Sequence, residues 1–342
     1  MAEVTPVPDA HAALLTSLAR RIDEVLDPLV PADRPVALLD FPQTPNVGDS
    51  VIWLGAMAYL TRRGIRPCYH CSNRTYSPAS LARRIGDGTI LLSGGGNFGD
   101  LYRPHQELRE AVVRGFPRNR VVQLPQTIHF ESREALARAR AAFDSHPHVT
   151  LLVRDAHSLA TARESFRAPS ALCPDAGFAL GALPRPIVPS HPVVWLARGD
   201  KEAPALPREE TPAGVVRTDW LHDDPTPLLE FSLRLAQLLR HRPKLRGPLQ
   251  GMLSRSYEPV ARERVRRGSR LLGMGRVVIT NRLHGHILCM LLGIRHVVLD
   301  NSYGKVSAFY EAWTHTSPLT QWAATEAEAL ARATALAEAG RR

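Results

Sequence analysis

The chain of 342 residues predicts an α/β protein made of two halves, each a parallel sheet covered by helices, with a central cleft between them. Three observations carry this. Short apolar runs alternate with polar or Gly-rich turns and longer amphipathic stretches. Four prolines interrupt that rhythm between Pro184 and Pro192, and beyond them it restarts. The length suits two domains, and 44% apolar residues suffice for a sizeable core.

Leu14, Leu15, Leu18, Ile22, Val25 and Leu26 have helical spacing and predict a leading helix over 14–26, stopped by Pro28. In the first half, 1–183, strands are expected at 36–39, 90–92, 121–124 and 151–153. Residues 184–192 read as the linker, because neither a helix nor a central strand tolerates such proline density. The second half, 193–342, brings a strand at 193–197, a helix around 228–239 and a basic helical stretch near 260–272. Strands at 277–280 and 297–300 follow, and the Ala- and Glu-rich tail after Pro318 predicts a closing helix.

The opening MAEVTPVPDAHAALL lacks the basic start and apolar core of a signal peptide, and no apolar run reaches the length of a membrane span. A cytoplasmic location is expected. Cys68, Cys71, Cys173 and Cys289 do not make a disulfide framework in so long a chain. Cys68 and Cys71 flank His70 in a C-x-x-C, with no second pair to complete a metal site, so no metal is expected. The formal net charge of +10 favours an anionic partner. An aromatic content of 6%, without an interleaved arginine and aromatic stripe, argues against single-strand binding, and no nucleic-acid partner is expected.

Polar residues gather where strands end. In LLDFPQTPNVGDS, Asn46, Gly48 and Asp49 follow a strand and open a helix whose cap is expected at Asp49 or Ser50, and simple capping explains them equally well. In ILLSGGGNFGD, Gly94, Gly96 and Gly99 match G-x-G-x-x-G. No acid follows the next strand to hold a ribose, and Pro104 falls where the helix should open. A loop of Gly94, Gly95, Gly96 and Asn97 lining a substrate fits better, with a tight turn as the alternative. Gln126 ends one further strand and Arg154, with Asp155 and Ser158, another. Arg154 is placed either to fork onto a carboxylate or phosphate or to pair with a neighbouring acid.

The stretch ITNRLHGH sets Arg282 and His284 at the mouth of a helix, where unpaired N–H groups, the helix dipole and a guanidinium make an anion site. His284 and His286 stand at i and i+2, on different helix faces, which argues against shared metal binding. Asp300, Tyr303 and Lys305 follow the next strand and are candidates for the same pocket.

With NVGD, SGGGN, LPQT, VRD, DAGF, ARGDKE, TNRLHGHILCMLLG and LDNSYGK in that order, the chain resembles the polysaccharide pyruvyl transferase family over about 36–305. The resemblance implies two Rossmann-like domains, similar to GT-B glycosyltransferases. It also implies transfer of a pyruvyl (carboxyethylidene) group from phosphoenolpyruvate to hydroxyls of a sugar, in a polysaccharide or its lipid-linked precursor, with ketal formation and release of phosphate. Arg154 and His284 then occupy the family's catalytic positions. Arg198, Arg282, Leu283 and Lys305 complete the substrate-binding set, and Asp49 or Asp175 is the candidate base. Phosphoenolpyruvate is a co-substrate and no cofactor is required. Two departures from the family pattern, Gly177 in DAGF and Asn281 before RLH, stand beside the site. A nucleotide-sugar glycosyltransferase remains an alternative. So does a basic surface of Arg262, Arg264, Arg266, Arg267 and Arg270, as a separate binding module or as a contact with the inner membrane face.

Overall fold

The computed structural model describes residues 8–199, 212–301 and 304–339. The first half contains the strands β1 (Val36–Leu39), β2 (Tyr69–Cys71), β3 (Thr89–Leu92), β4 (Gly95–Gly99), β5 (Arg120–His129), β6 (Val149–Val153) and β7 (Ser170–Leu172). Its helices are α1 (Asp9–Leu26), α2 (Val47–Arg62), α3 (Pro78–Ile85), α4 (Arg103–Gly115), α5 (Arg133–Asp144) and α6 (Ala156–Ser165), followed by a 3-10 turn at Ala176–Leu180. The second half has β8 (His191–Leu196), β9 (Val215–Thr218), β10 (Gly275–Thr280), β11 (Arg295–Val298) and β12 (Thr320–Trp322). With them stand α7 (Pro227–His241), α8 (Arg246–Gly273), α9 (Leu283–Leu291), α10 (Lys305–Phe309), which runs into a π-helical turn, and α11 (Glu326–Ala339).

Both sheets are wholly parallel. The first runs β2-β1-β3-β5-β6-β7, with β4 also on β5, and the second β9-β8-β10-β11-β12. Leaving β4 aside, both follow one doubly wound order, in which the sheet changes its direction of growth between β1 and β3 and between β8 and β10. In open α/β sheets ligands bind at such switch points, outside the carboxyl ends of the strands. This is the two-domain Rossmann-like, GT-B-like arrangement expected.

Local differences from the sequence reading have physical causes. The expected Gly-rich loop is the strand β4, which pairs with the far end of β5 after a bend at Ser93 and Gly94. Accordingly β5 does not stop at residue 124 but passes through Pro125, where its pairing with β6 shifts register, as a proline in a central strand requires. The cap of α2 is Asn46, whose Oδ1 accepts the Gly48 N–H, rather than Asp49 or Ser50. The basic stretch near 260–272 is the last part of α8, a helix of 28 residues that carries Pro259 on an exposed side. β8 begins at His191, inside the proline-rich segment.

The two halves share one apolar core and exchange helices. From the second half, α8 reaches over the first: Tyr257 stacks on Phe41 with ring centroids 4.0 Å apart, and Gln250 Nε2 donates to the His70 carbonyl at 2.7 Å. Reciprocally, α1 lies on the second half, where His11 Nε2 donates to the Met290 carbonyl at 2.9 Å and Nδ1 accepts from Ser317. Gly55 lets α2 approach the 3-10 turn, since a β-carbon there would stand 1.9 Å from the Ala176 carbonyl oxygen.

Beneath α9 lies a chain of neutral imidazoles. His296 Nδ1 donates to the Ile294 carbonyl, so its Nε2 is bare and accepts from His286 Nδ1 at 2.7 Å, and His286 Nε2 accepts from Thr314. Burial pulls the pKa of His296 down to about 4 and that of His286 well below the ordinary imidazole value. Below a pH of about 6.5 the unfolded chain therefore binds protons that the native chain refuses. Stability is full above that pH and falls as pH drops toward the folded values, by up to about 1.4 kcal/mol per histidine per pH unit. Melting curves between about pH 7 and pH 5 should show a falling midpoint, and a flat profile would mean that these rings are solvated.

Candidate active site

The loops leaving β1, β3, β8 and β10 enclose a cleft of ≈ 340 Å³ between the halves, and those are the four strands that flank the switch points. The cleft wall includes Asn46, Asp49, Gly94, Gly96, Asn97, Arg154, Arg198, Arg282, Leu283, His284 and Lys305, all named from the sequence. Gly48, Gly95, Gln126 and Asp175 stand behind that wall.

At its centre His284 Nε2 lies 3.3 Å from Asp175 Oδ2, and Arg154 Nη1 donates to the same oxygen at 2.6 Å. Arg154 is 1% exposed and Asp175 is fully buried. Two further donors of Arg154 are fixed as well: Nε on Thr127 at 3.0 Å, and the backbone N–H on the Gln126 carbonyl. The Trp313 indole donates to the Arg154 carbonyl at 2.8 Å, so the second half grips this residue directly. Burial pushes the Asp175 carboxyl up, but the charge and hydrogen bond of His284, then Arg154 and the Gly177 N–H, more than offset it and hold it well below the carboxylate range. Asp175, named from the sequence as a candidate base beside Asp49, is thus buried and fully engaged by its partners.

Two glycines shape this centre. A β-carbon at Gly48 would stand 2.6 Å from His284 Cβ and 2.7 Å from Nδ1, so the first turn of α2 leaves room for the imidazole only because it bears no side chain there. At Gly96, a β-carbon would lie 3.2 Å from Arg154 Nη2 and 3.6 Å from Lys305 Nζ. A guanidinium from one half and an ammonium from the other therefore converge on bare backbone, an arrangement suited to an anion with several oxygens.

The Gly-rich strand is braced from behind. Arg109 is 1% exposed, donates to Gln123 Oε1 at 2.8 Å and to the Asn97 carbonyl at 3.0 Å, and also holds Asn97 Oδ1. Gln126 accepts the Asn97 N–H and donates to Asn97 Oδ1 at 2.8 Å and to the Ser93 carbonyl at 3.1 Å. Expected to touch substrate, Gln126 is instead 0% exposed and positions Asn97. A polar residue at a strand end reads the same in sequence whether it faces the cleft or its back.

Other site residues carry no recognisable sequence pattern. Asp40 directly follows β1 with a φ of 72°, and it is the one non-glycine with positive φ among the described residues. His105, on α4, places Nδ1 2.9 and 2.8 Å from its two carboxylate oxygens, and both residues line the cleft. Asp219 accepts from Arg282 Nε and Nη2, each at 2.7 Å, and so fixes the guanidinium of the RLH segment in a fork. Only the Asp40 position, at a switch-point strand end, could have been marked from sequence.

The basic surface considered for α8 is divided, with Arg262, Arg266 and Arg270 exposed and the other two arginines turned inward. Arg264 and Arg267 turn inward onto Asp223, at 2.8 and 2.7 Å, and donate to the carbonyls of Pro42 and Pro45, tying the loop after β1 to the second half. Arg262 and Arg266 pair with Glu258 and Glu263, and Arg270 is exposed. Asp300 uses its carboxylate on the N–H groups of Asn301, Val306 and Ser307, so it shapes α10 and does not face the cleft. The Arg198 N–H donates to Asn281 Oδ1 at 2.8 Å. Asp200, Lys201 and Glu202 of ARGDKE, and Tyr303, lie outside the described residues. Burial drives the Cys71 thiol up to about 12, and among the described residues no group of three or more His, Cys, Asp or Glu is placed to hold a metal ion. Nor, among them, is any helix long and apolar enough to cross a membrane.

Fold and cleft together define a GT-B-like protein whose cleft, lined by Arg154, Arg198, Arg282 and Lys305, lies across two switch points. A family model for polysaccharide pyruvyl transferases matches residues 46–303. The chain belongs to the polysaccharide pyruvyl transferase family, and its class is that of a transferase. It is 34% identical to Pyruvyl transferase 1 of Schizosaccharomyces pombe over 82% of this chain and 70% of that one. It is 30% identical to EpsO of Bacillus subtilis, provisionally named a pyruvyl transferase, over 90% and 94% of the two chains. A crystal structure of a functionally uncharacterised protein from Klebsiella pneumoniae shares the fold, with a TM-score of 0.57 at 17% identity over 90% of this chain and 99% of that one.

Proposed function

We propose that this chain moves the pyruvyl group of phosphoenolpyruvate onto two hydroxyls of a sugar in a polysaccharide or its lipid-linked precursor, forming a ketal and releasing phosphate. The observation that carries the proposal is the convergence of His284, Arg154 and Lys305: an acid candidate held by a buried carboxylate, with two cations facing one strip of bare backbone. Phosphoenolpyruvate brings a carboxylate and a phosphate, which is the charge such a strip accepts.

In this scheme Asp175 engages Nε2 of His284, so that Nδ1, beside Gly48, is the nitrogen that delivers a proton to the methylene carbon. The adjacent carbon becomes oxocarbenium-like and one acceptor hydroxyl adds to it. A second hydroxyl then displaces phosphate, whose departing charge Arg154 and Lys305 stabilise. The two hydroxyl protons need a base: Asp49 and the His105–Asp40 pair both line the cleft, whereas Asp175 acts as a positioning residue. Nothing in the scheme calls on a metal or an organic cofactor.

Release of inorganic phosphate from phosphoenolpyruvate, measured over a panel of hexosides with free hydroxyl pairs, tests the reading. Acceptor-dependent release is expected. No release, together with thermal stabilisation by a nucleotide sugar but not by phosphoenolpyruvate, would transfer the cleft to glycosyl transfer.

A further inference from the structure

Seven large apolar side chains are exposed among the described residues, and six of them, Leu228, Phe231, Leu233, Leu238, Leu245 and Met252, belong to one corner of the second half, where α7 turns into α8. Isolated exposed apolar residues are ordinary; six within one helical hairpin are not. The hairpin register is set by Ser256, which donates to Ser232 Oγ at 2.9 Å. Phe231 and Leu238, seven residues apart, share a face of α7. With the two serines opposed in antiparallel helices, Met252, one turn before Ser256, comes to the same outer side. Phe231, Leu238 and Met252 are 45%, 42% and 48% exposed.

The charge around this face has one sign. Residues 227–255 hold six basic side chains and a single acid, Glu230, which is paired with Arg234. Arg240, Arg242, Lys244 and Arg255 are exposed. We propose that the outer face of the α7–α8 hairpin is a seat for an anionic lipid surface, its apolar side chains entering the headgroup boundary and its cations meeting lipid phosphates. A second copy of the chain is a poor occupant, because a two-fold contact would bring the two cationic sets together. Nucleic acid would leave the Leu and Met side chains without partners and find one aromatic ring, Phe231, to stack on. The seat is separate from the Arg264 and Arg267 face of α8, which is spent on holding the halves together. It also does not depend on the reaction in the cleft.

Co-sedimentation of the full chain with phosphatidylglycerol-containing vesicles and with pure phosphatidylcholine vesicles tests this. Binding to the first and not the second, weakening as salt rises, is expected. The double variants Phe231→Ser/Met252→Ser and Arg242→Ser/Lys244→Ser should each lose roughly tenfold or more in binding, with melting temperature kept, while Arg262→Ser/Arg266→Ser should bind as the parent does. Absence of binding to anionic vesicles would overturn the proposal, as would a Phe231→Ser/Met252→Ser variant that binds normally. So would a parent dimer that the same variant converts to a monomer without any vesicle binding, since the face would then belong to a second copy.

Discussion

His284→Ala should lower acceptor-dependent phosphate release by roughly 10²–10⁴-fold, the range that a positioned general acid contributes. Because the side chain is 12% exposed and stands at the cleft wall, the fold should survive its truncation, with the melting curve as the check. Arg154 and Lys305 remain in such a variant, so the Michaelis constant for phosphoenolpyruvate should change far less than turnover. Gly48→Ala approaches the same ring from the other side: its methyl group would have to occupy space 2.6 Å from His284 Cβ. It should therefore reproduce much of the turnover defect with His284 still present. If His284→Ala keeps parental turnover, His284 is not the acid, and His105 is the next imidazole in the cleft to test.

Asp175→Ala should have the largest effect on stability. It removes the acceptor of Arg154 Nη1, of His284 Nε2 and of the Gly177 N–H at once, and leaves a guanidinium at 1% exposure without its counter-charge. Breaking a buried pair in this way costs about 3–5 kcal/mol. Asp175→Asn keeps an oxygen for Gly177 and should lose less. Because the native carboxyl titrates below its unfolded value, its stabilising contribution is full above the ordinary carboxylate range and disappears as pH falls through the native value. Denaturant titrations of parent and variant should differ fully at neutral pH and converge only in strong acid. An equal gap at both would mean that the loss comes from packing rather than charge.

The sequence made the long apolar strands and the amphipathic helices legible, because burial on one or both sides writes a period into the residues. The strands β2, β7 and β12 are three residues each, too short for any period to show. Arg154, His284 and Lys305 could be named in advance because each follows a strand at the ligand-binding end of a sheet. The pairing of Asp40 with His105, and of Asp219 with Arg282, could not: 65 and 63 positions separate the partners, and only the folded sheets bring them together. The direction of α8's arginines was equally hidden. Arg264 and Arg266 look alike in a basic run, yet one is 3% exposed against Asp223 and the other lies on the surface.

The exchange of α1 and α8 between the halves bears on how molecules enter and leave. Swinging the halves apart about the proline segment would require unstacking Tyr257 from Phe41, pulling His11 from Met290 and breaking the arginine ties to Pro42 and Pro45 together. Each tie is modest, but all would have to fail in one movement. A swing of the halves is therefore costly in this chain, and in the reaction proposed for the cleft the release of product should not wait on one.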